Sequence, residues 1–182
     1  MASKKTATAT KAKKSTKATA GAAEGSNPGY RASKIYQSPN KITVADLPSQ
    51  YGRADLEFIA VDHSGPSYEA RVYLNNTNAD ENTTPTELNG YAGSFSIFGH
   101  QKCFGDIGHC DVTHAQDEFD PRPSHPLEPI KKVVIATDAI KRAAEQSAEI
   151  SITVVPVLLS WTEETNLDDV LHFDHINLVT YG

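Results

Sequence analysis

The residues best suited to chemistry lie in the segment 99–111 (GHQKCFGDIGHCD). Its two cysteines and two histidines are His100, Cys103, His109 and Cys110, and the segment also contains three glycines. Copper and zinc bind thiolate and imidazole ligands, and glycines let a backbone wrap closely around a metal ion. The segment therefore predicts a copper or zinc site as one of three alternatives.

The second alternative is a disulfide between Cys103 and Cys110, which is feasible if their Cα atoms come within about 7 Å. In the third, both cysteines are reduced and the histidines hydrogen-bond to backbone carbonyl groups. Six residues separate the two cysteines, whereas structural zinc sites normally have two residues between paired ligands. We therefore favour a disulfide or a structural loop over a metal site, and all three alternatives stay open.

The chain has five further histidines, namely His63, His114, His125, His172 and His175. The last two are three residues apart on a predicted strand, so they should face opposite sides and not share a metal. The chain has no nucleophile-elbow serine, no phosphate-binding glycine loop and no His-Glu-x-x-His motif. We assign no catalytic residue from the sequence and lean towards a protein that is not an enzyme.

Short segments with alternating apolar and polar residues must position the cysteine–histidine segment. They predict strands at 55–63, 68–74, 91–98, 131–137, 150–160 and 170–180. A short helix is predicted at 139–146, where Thr137 or Asp138 can cap the first turn. This pattern favours a mainly β fold, an antiparallel β-sandwich with one short helix and a disordered N-terminal tail.

The N-terminal tail, 1–29, is rich in lysine, alanine and threonine, so we expect it to be disordered. Six lysines form its electrostatic feature: Lys4, Lys5, Lys11, Lys13, Lys14 and Lys17. The first 26 residues carry a net charge of +5, but the rest of the chain carries −11. Because the body is acidic, nucleic acid is not an expected partner beyond weak contacts through the tail.

The whole chain has 182 residues and a net charge of −6, which suits one domain with a tail. We expect an extended linker at 30–53 and a β-domain at 54–182. No run approaches the roughly 18 apolar residues of a membrane-spanning helix, so no membrane partner is expected. No apolar stretch follows the first lysines, so we predict no signal peptide and, by default, a cytoplasmic location.

Two long strings, DLEFIAVDHSGPSYEARVYLNN and GYAGSFSIFGHQKCFGDIGHCDV, precede a proline-rich crossing. They resemble the C-terminal β-domain of tyrosinase and polyphenol oxidase proteins, the type-3 copper family. The later elements TDAIKRAAE, EISITVVPV and HFDHINLVTYG continue the resemblance, which covers about 54–182. The Ala-Gly-Ser-Phe element at 92–95 and the Val-Pro pair at 155–156 are similar to elements of polyphenol oxidases.

In that family, the β-domain packs against a di-copper helical domain and can cover the entrance to its copper site. A type-3 site needs six neutral imidazoles, largely supplied by histidines one helical turn apart. This chain has seven histidines, none of them four residues apart and none in the predicted helix. Phenol oxidation by this chain alone is therefore not implied.

The resemblance implies a non-catalytic module that acts through protein–protein interaction, with a protein partner or a homo-oligomer and no resident cofactor. The module could be a subunit, cover or maturation partner of a tyrosinase-like copper enzyme, or a self-assembling structural protein. The alternatives are a copper- or zinc-binding protein that uses the 100–110 loop, or a component of a tyrosinase-related oxidoreductase.

Overall fold

A computed structural model describes residues 33–100, 119, 127–158, 167 and 170–182. Most of the regular structure in this part of the chain is β-strand, as the sequence predicts. The strands and the helix are β1 (Tyr36–Gln37), β2 (Ile42–Thr43), β3 (Arg53–Val61), β4 (Tyr68–Leu74), β5 (Tyr91–Ile97), β6 (Ile130–Ile135), α1 (Thr137–Gln146), β7 (Glu149–Ile150), β8 (Ile152–Leu158) and β9 (His175–Tyr181).

All strand pairs are antiparallel and form three sheets within the described residues. The larger sheets have the strand orders β1-β8-β4-β5 and β6-β3-β9, and β2 pairs with β7. Leu56 and Phe58 of β3 belong to the same buried cluster as Val72 of β4 and Val154 of β8. The rings of Phe58 and Phe95, one from each large sheet, lie 4.8 Å apart between centroids. The antiparallel sandwich is therefore confirmed.

The helix α1 begins two residues earlier than predicted, at Thr137. The capping prediction is wrong, because the N-cap position is Ala136 and no side chain caps the first turn. The Thr137 hydroxyl instead accepts a hydrogen bond from the Ala54 amide of β3, at 2.9 Å. Within the described residues, no helix is long and apolar enough to cross a membrane.

The segment 30–53 contributes two short strands to the sheets. Strand β1 pairs with Thr153 and Val154 of β8, and β2 pairs with β7. Pro156 lies beyond these β1 pairs, at a position where β8 pairs with β4. A proline has no amide proton to donate, so a partly unpaired strand tolerates it there.

The last strand is shorter than the predicted strand 170–180, because its pairing with β3 begins at His175. His172 lies before the strand, so the prediction that it shares a strand with His175 is wrong. The carbonyl of His172 accepts a hydrogen bond from the Asp62 amide at 3.0 Å, which ties the segment to the end of β3.

The two large sheets differ in their outer faces. On the four-stranded sheet, Tyr73 of β4 and Val155 and Val157 of β8 are buried in a second small cluster with Ala79. We call this the covered face. On the three-stranded sheet, Val133, Ile135 and Tyr181 point away from the core and are 39%, 61% and 45% exposed. We call the outer side chains of β6, β3 and β9 the open face.

Candidate functional site

The sequence-predicted site falls mostly outside the described residues. Of its four members, only His100 lies within them, whereas Cys103, His109 and Cys110 do not. The six lysines of the tail also lie outside the described residues. The predicted metal site and the predicted disulfide therefore stay predictions.

The structure brings His100 to His63, a residue that sequence reasoning did not place in any site. His63 follows β3, and His100 follows β5 by three residues. Because Tyr68 pairs with Ile97, the chain leaving β5 runs beside the turn that connects β3 to β4. The sequence does not indicate this contact, because the two residues are 37 positions apart and their proximity depends on strand register.

A glycine permits this close approach. An ideal Cβ atom on Gly99 would lie 2.2 Å from the carbonyl oxygen of Gly65 and 2.5 Å from that of Pro66. No side chain fits there without displacing the backbone of the turn. The Gly99 amide also donates a hydrogen bond to the Ser67 hydroxyl at 3.0 Å, which fixes the position of the next residue, His100.

The two imidazoles meet through their Nδ1 atoms, which lie 3.3 Å apart. Their ring planes are 78° apart and their centroids are separated by 5.0 Å. The backbone amide of His100 donates to the His63 carbonyl at 3.0 Å, so main-chain and side-chain contacts support the same pairing. We call this arrangement the histidine pair.

The hydrogen bonds assign the tautomer of neutral His63. Its Nε2 atom lies 2.9 Å from the Glu128 carbonyl oxygen, which can only accept, so Nε2 carries the proton. The Nδ1 atom of His63 then presents a lone pair towards His100. In this state Nδ1–H of His100 is the donor, with the His63 carbonyl oxygen at 3.2 Å as a further acceptor.

A carboxylate lies beside the histidine pair. Asp62 accepts hydrogen bonds from the Ser64 amide at 2.8 Å and the Ser64 hydroxyl at 2.9 Å. Partial burial acts to raise the pKa of Asp62, but these hydrogen bonds and the nearby imidazoles of His172 and His63 lower it overall. A negative charge is therefore maintained next to the histidine pair at neutral pH.

Tyr68, the first residue of β4, has a side chain that is only 1% exposed. Its hydroxyl group has no hydrogen-bond partner among the described residues. Burial, with a further contribution from the Asp62 charge, raises the pKa of Tyr68 far above its ordinary value. The phenol therefore stays neutral and cannot act as a base.

A type-3 copper centre, which the family resemblance implies for the complete enzymes, does not fit the described residues. Their one α-helix, Thr137–Gln146, contains no histidine. Within the described residues, no group of three or more His, Cys, Asp or Glu side chains is arranged to hold a metal ion. We therefore derive no oxidation step from this chain.

The open face is a second candidate site, for binding rather than chemistry. Its central row places Val179 of β9 and Ile135 of β6 on either side of Asp55. The next row places Asn177 and Val133 on either side of Glu57. Three apolar side chains and one amide, Asn177, therefore flank a central line of two carboxylates.

Both carboxylates have cationic partners. The Arg53 guanidinium contacts Asp55 through Nε–Oδ1 and Nη2–Oδ2 distances of 2.8 Å, and its Cζ atom lies 5.7 Å from the Tyr181 ring centroid. Lys131 Nζ lies 2.8 Å from Glu57 Oε1. Both carboxylates are therefore paired with cations of the same surface, beside the exposed Val133, Ile135 and Tyr181.

No family model matches the chain, and no curated protein matches it. Among solved structures it is similar to a latent aurone synthase (polyphenol oxidase) from a natural source, with a TM-score of 0.42 and 12% sequence identity. The similarity covers 87% of this chain and 26% of that chain. This chain therefore spans about a quarter of the length of that protein, and the similarity is a distant structural one.

Proposed function

We propose that this chain is a non-catalytic module that acts by protein–protein contact through its open face. The partner is a tyrosinase-like copper enzyme, for which the module serves as a subunit, cover or maturation partner. One observation carries the proposal: Val133, Ile135 and Tyr181 are exposed together on the outer side of a three-stranded sheet.

The chemistry of the open face supports a protein partner. An antiparallel sheet that faces water normally presents polar residues on that side. Here Val133, Ile135 and Tyr181 are exposed beside two carboxylates that already have cationic partners, so docking does not leave those charges unpaired. A partner with an apolar patch and a polar rim is the expected complement. The choice of a copper enzyme rests on the family resemblance of the sequence.

The test compares lysine substitutions at two exposed aliphatic residues in the full chain. Ile135→Lys places a charge among the exposed apolar side chains of the open face, whereas Leu88→Lys changes a 99% exposed leucine in the loop between β4 and β5. Each chain is co-expressed with a tyrosinase-like enzyme from the same organism, and the complex is measured by light scattering. We expect a stoichiometric complex for the wild type and Leu88→Lys, and at least tenfold weaker binding for Ile135→Lys.

Three results would overturn the proposal. One is a monomeric wild-type chain that does not bind the enzyme. Another is equal binding by the two variants. The third is a homo-oligomer that Ile135→Lys dissociates, because it would assign the open face to a second copy of the chain. If Ile135→Lys unfolds at the same temperature as the wild type, its loss of binding does not come from a loss of the fold.

A further inference from the structure

We propose that His63 and His100 are two ligands of a tetrahedral metal site that takes Zn²⁺, each through its Nδ1 atom. The proposal is independent of the open face, because neither histidine belongs to β6, β3 or β9. It also differs from the sequence-based metal prediction, in which His63 had no part.

The spacing of the two nitrogen atoms carries the proposal. Zinc binds imidazole nitrogen at roughly 2.0–2.1 Å with tetrahedral angles, so two such ligands of one ion lie about 3.3 Å apart. The Nδ1 atoms of His63 and His100 are separated by 3.3 Å. The near-perpendicular ring planes bring the imidazoles together at these nitrogen atoms rather than by face-to-face stacking.

The second ring nitrogen of His63 has the partner expected of a metal ligand. Metal-binding histidines almost always donate their other ring N–H to a carbonyl or carboxylate group, which fixes the tautomer and the ring orientation. His63 Nε2 lies 2.9 Å from the Glu128 carbonyl oxygen. Its Nδ1 atom therefore carries no proton in the neutral ring, and the lone pair is available to a metal ion.

The backbone holds both ligands in place before any metal arrives. The close contact of Gly99 with Gly65 and the hydrogen bond from the His100 amide to the His63 carbonyl fix the two chain segments together. The Asp62 carboxylate, whose charge acts on His63, also favours a cation here. A pre-ordered pair loses less conformational entropy when it binds than two free side chains do.

Binding requires one proton to move and no change of oxidation state. Without metal, Nδ1–H of His100 donates towards His63. On binding, that N–H bond breaks, the proton passes through solvent to Nε2 of the same ring, and the Nδ1 lone pair bonds to the ion. Two positions of a tetrahedral ion remain, and water can fill them in the minimal site.

The test titrates the full, metal-stripped chain with Zn²⁺ against a fluorescent chelator. His63→Gln and His100→Gln each remove one ligand, and we expect each to weaken Zn²⁺ binding at least tenfold. His175→Gln is the matched control, because His175 is a half-exposed histidine that contacts Asp174 at 3.0 Å. This control should bind Zn²⁺ as the wild type does, and so should the open-face variant Ile135→Lys.

A second measurement does not depend on the folding of the variants. In wild-type protein with ¹⁵N-labelled histidine, Zn²⁺ should shift the Nδ1 resonances of two rings and leave their Nε2 atoms protonated. The absence of Zn²⁺ binding, affinities within twofold of the wild type in both glutamine variants, or coordination through Nε2 would each overturn the proposal. The histidine pair would then be a hydrogen-bonded contact only.

Discussion

The two outer faces of the sandwich both carry outward-pointing valines, but these side chains have different environments. On the covered face, Val155 and Val157 of β8 are fully buried, and Tyr73 of β4 lies with them. On the open face, Val133 is 39% exposed, although it also occupies an outward position of a paired strand. Residue type therefore does not account for the difference, and the edge position of β6 against the interior position of β8 is one part of it.

The loop between β4 and β5 accounts for part of it. This loop returns over the covered face, where Ala79 joins the buried cluster and the Thr83 carbonyl accepts a hydrogen bond from the Tyr73 hydroxyl at 2.8 Å. Ile35, from the segment before β1, packs against the same cluster. The chain thus uses its own segments to cover one face, and apolar side chains of the other face stay exposed among the described residues.

The largest expected effect compares one substitution on the two faces. Val157→Lys buries a charge without a partner, so we expect a loss of about 3–5 kcal/mol in the free energy of unfolding. Val133→Lys should change it by less than about 0.5 kcal/mol, because the new ammonium is exposed and lies opposite Glu57. Urea denaturation measures both values.

If Val157→Lys does not fold, Val157→Ala provides the comparison, with an expected loss of roughly 2 kcal/mol from the cavity that it leaves. Similar losses for the two lysine variants would contradict the distinction between a covered and an open face.

A smaller effect is expected from the hydroxyl groups of two tyrosines. Tyr73→Phe removes the hydrogen bond that ties the loop to the covered face, so we expect a loss of about 1 kcal/mol. Tyr181→Phe, on the open face, should be nearly neutral. Thermal unfolding compares the two, and hydrogen exchange of the loop amides should increase only in Tyr73→Phe. An equal response of both variants would show that the loop is not held by this bond.

The smallest effect concerns Asp62, in the connection between the two large sheets. The folded protein lowers the pKa of this carboxyl group, so its contribution is fully present above the ordinary Asp pKa of about 3.9 and is lost as the pH falls from there through the lower pKa of the folded state. Asp62→Asn should lower stability at pH 7 by about 1 kcal/mol or less.

The stability of the wild type should therefore fall more steeply than that of Asp62→Asn when the pH is lowered below about 4. Denaturation at a series of pH values measures the two slopes. Parallel curves would mean that the Ser64 hydrogen bonds and the imidazoles do not stabilise the ionised form. The difference should be the same in the Val133→Lys background, because neither outer face contributes to it.

Local patterns predicted much of the fold. The alternation at 68–74 corresponds to β4 without a change of bounds, and the strand predicted at 91–98 is one residue longer than β5. The helix prediction is correct in place, but its cap is wrong, because Thr137 bonds to β3 instead of to its own first turn. Capping propensity describes a local preference, and a tertiary hydrogen bond overrides it here.

The candidate sites were less predictable. The sequence drew attention to His100 because of its cysteine-rich surroundings, but it offered no signal for His63 beyond its position beside a Ser-Gly-Pro turn. Their contact depends on the pairing of Tyr68 with Ile97 and on Gly99 fitting against the turn. Neither feature can be derived from spacing along the chain.

The sequence by itself determined the period of its strands, the mainly β composition and the short helix. These features follow from local side-chain periodicity, which differs between a strand and a helix. The tertiary structure decided which outer face is covered and which histidine meets His100. Alternation separates the two sides of a strand, but it does not show what lies on the outer side. That depends on long-range register and on where a loop returns, which are set by packing between segments far apart in the chain.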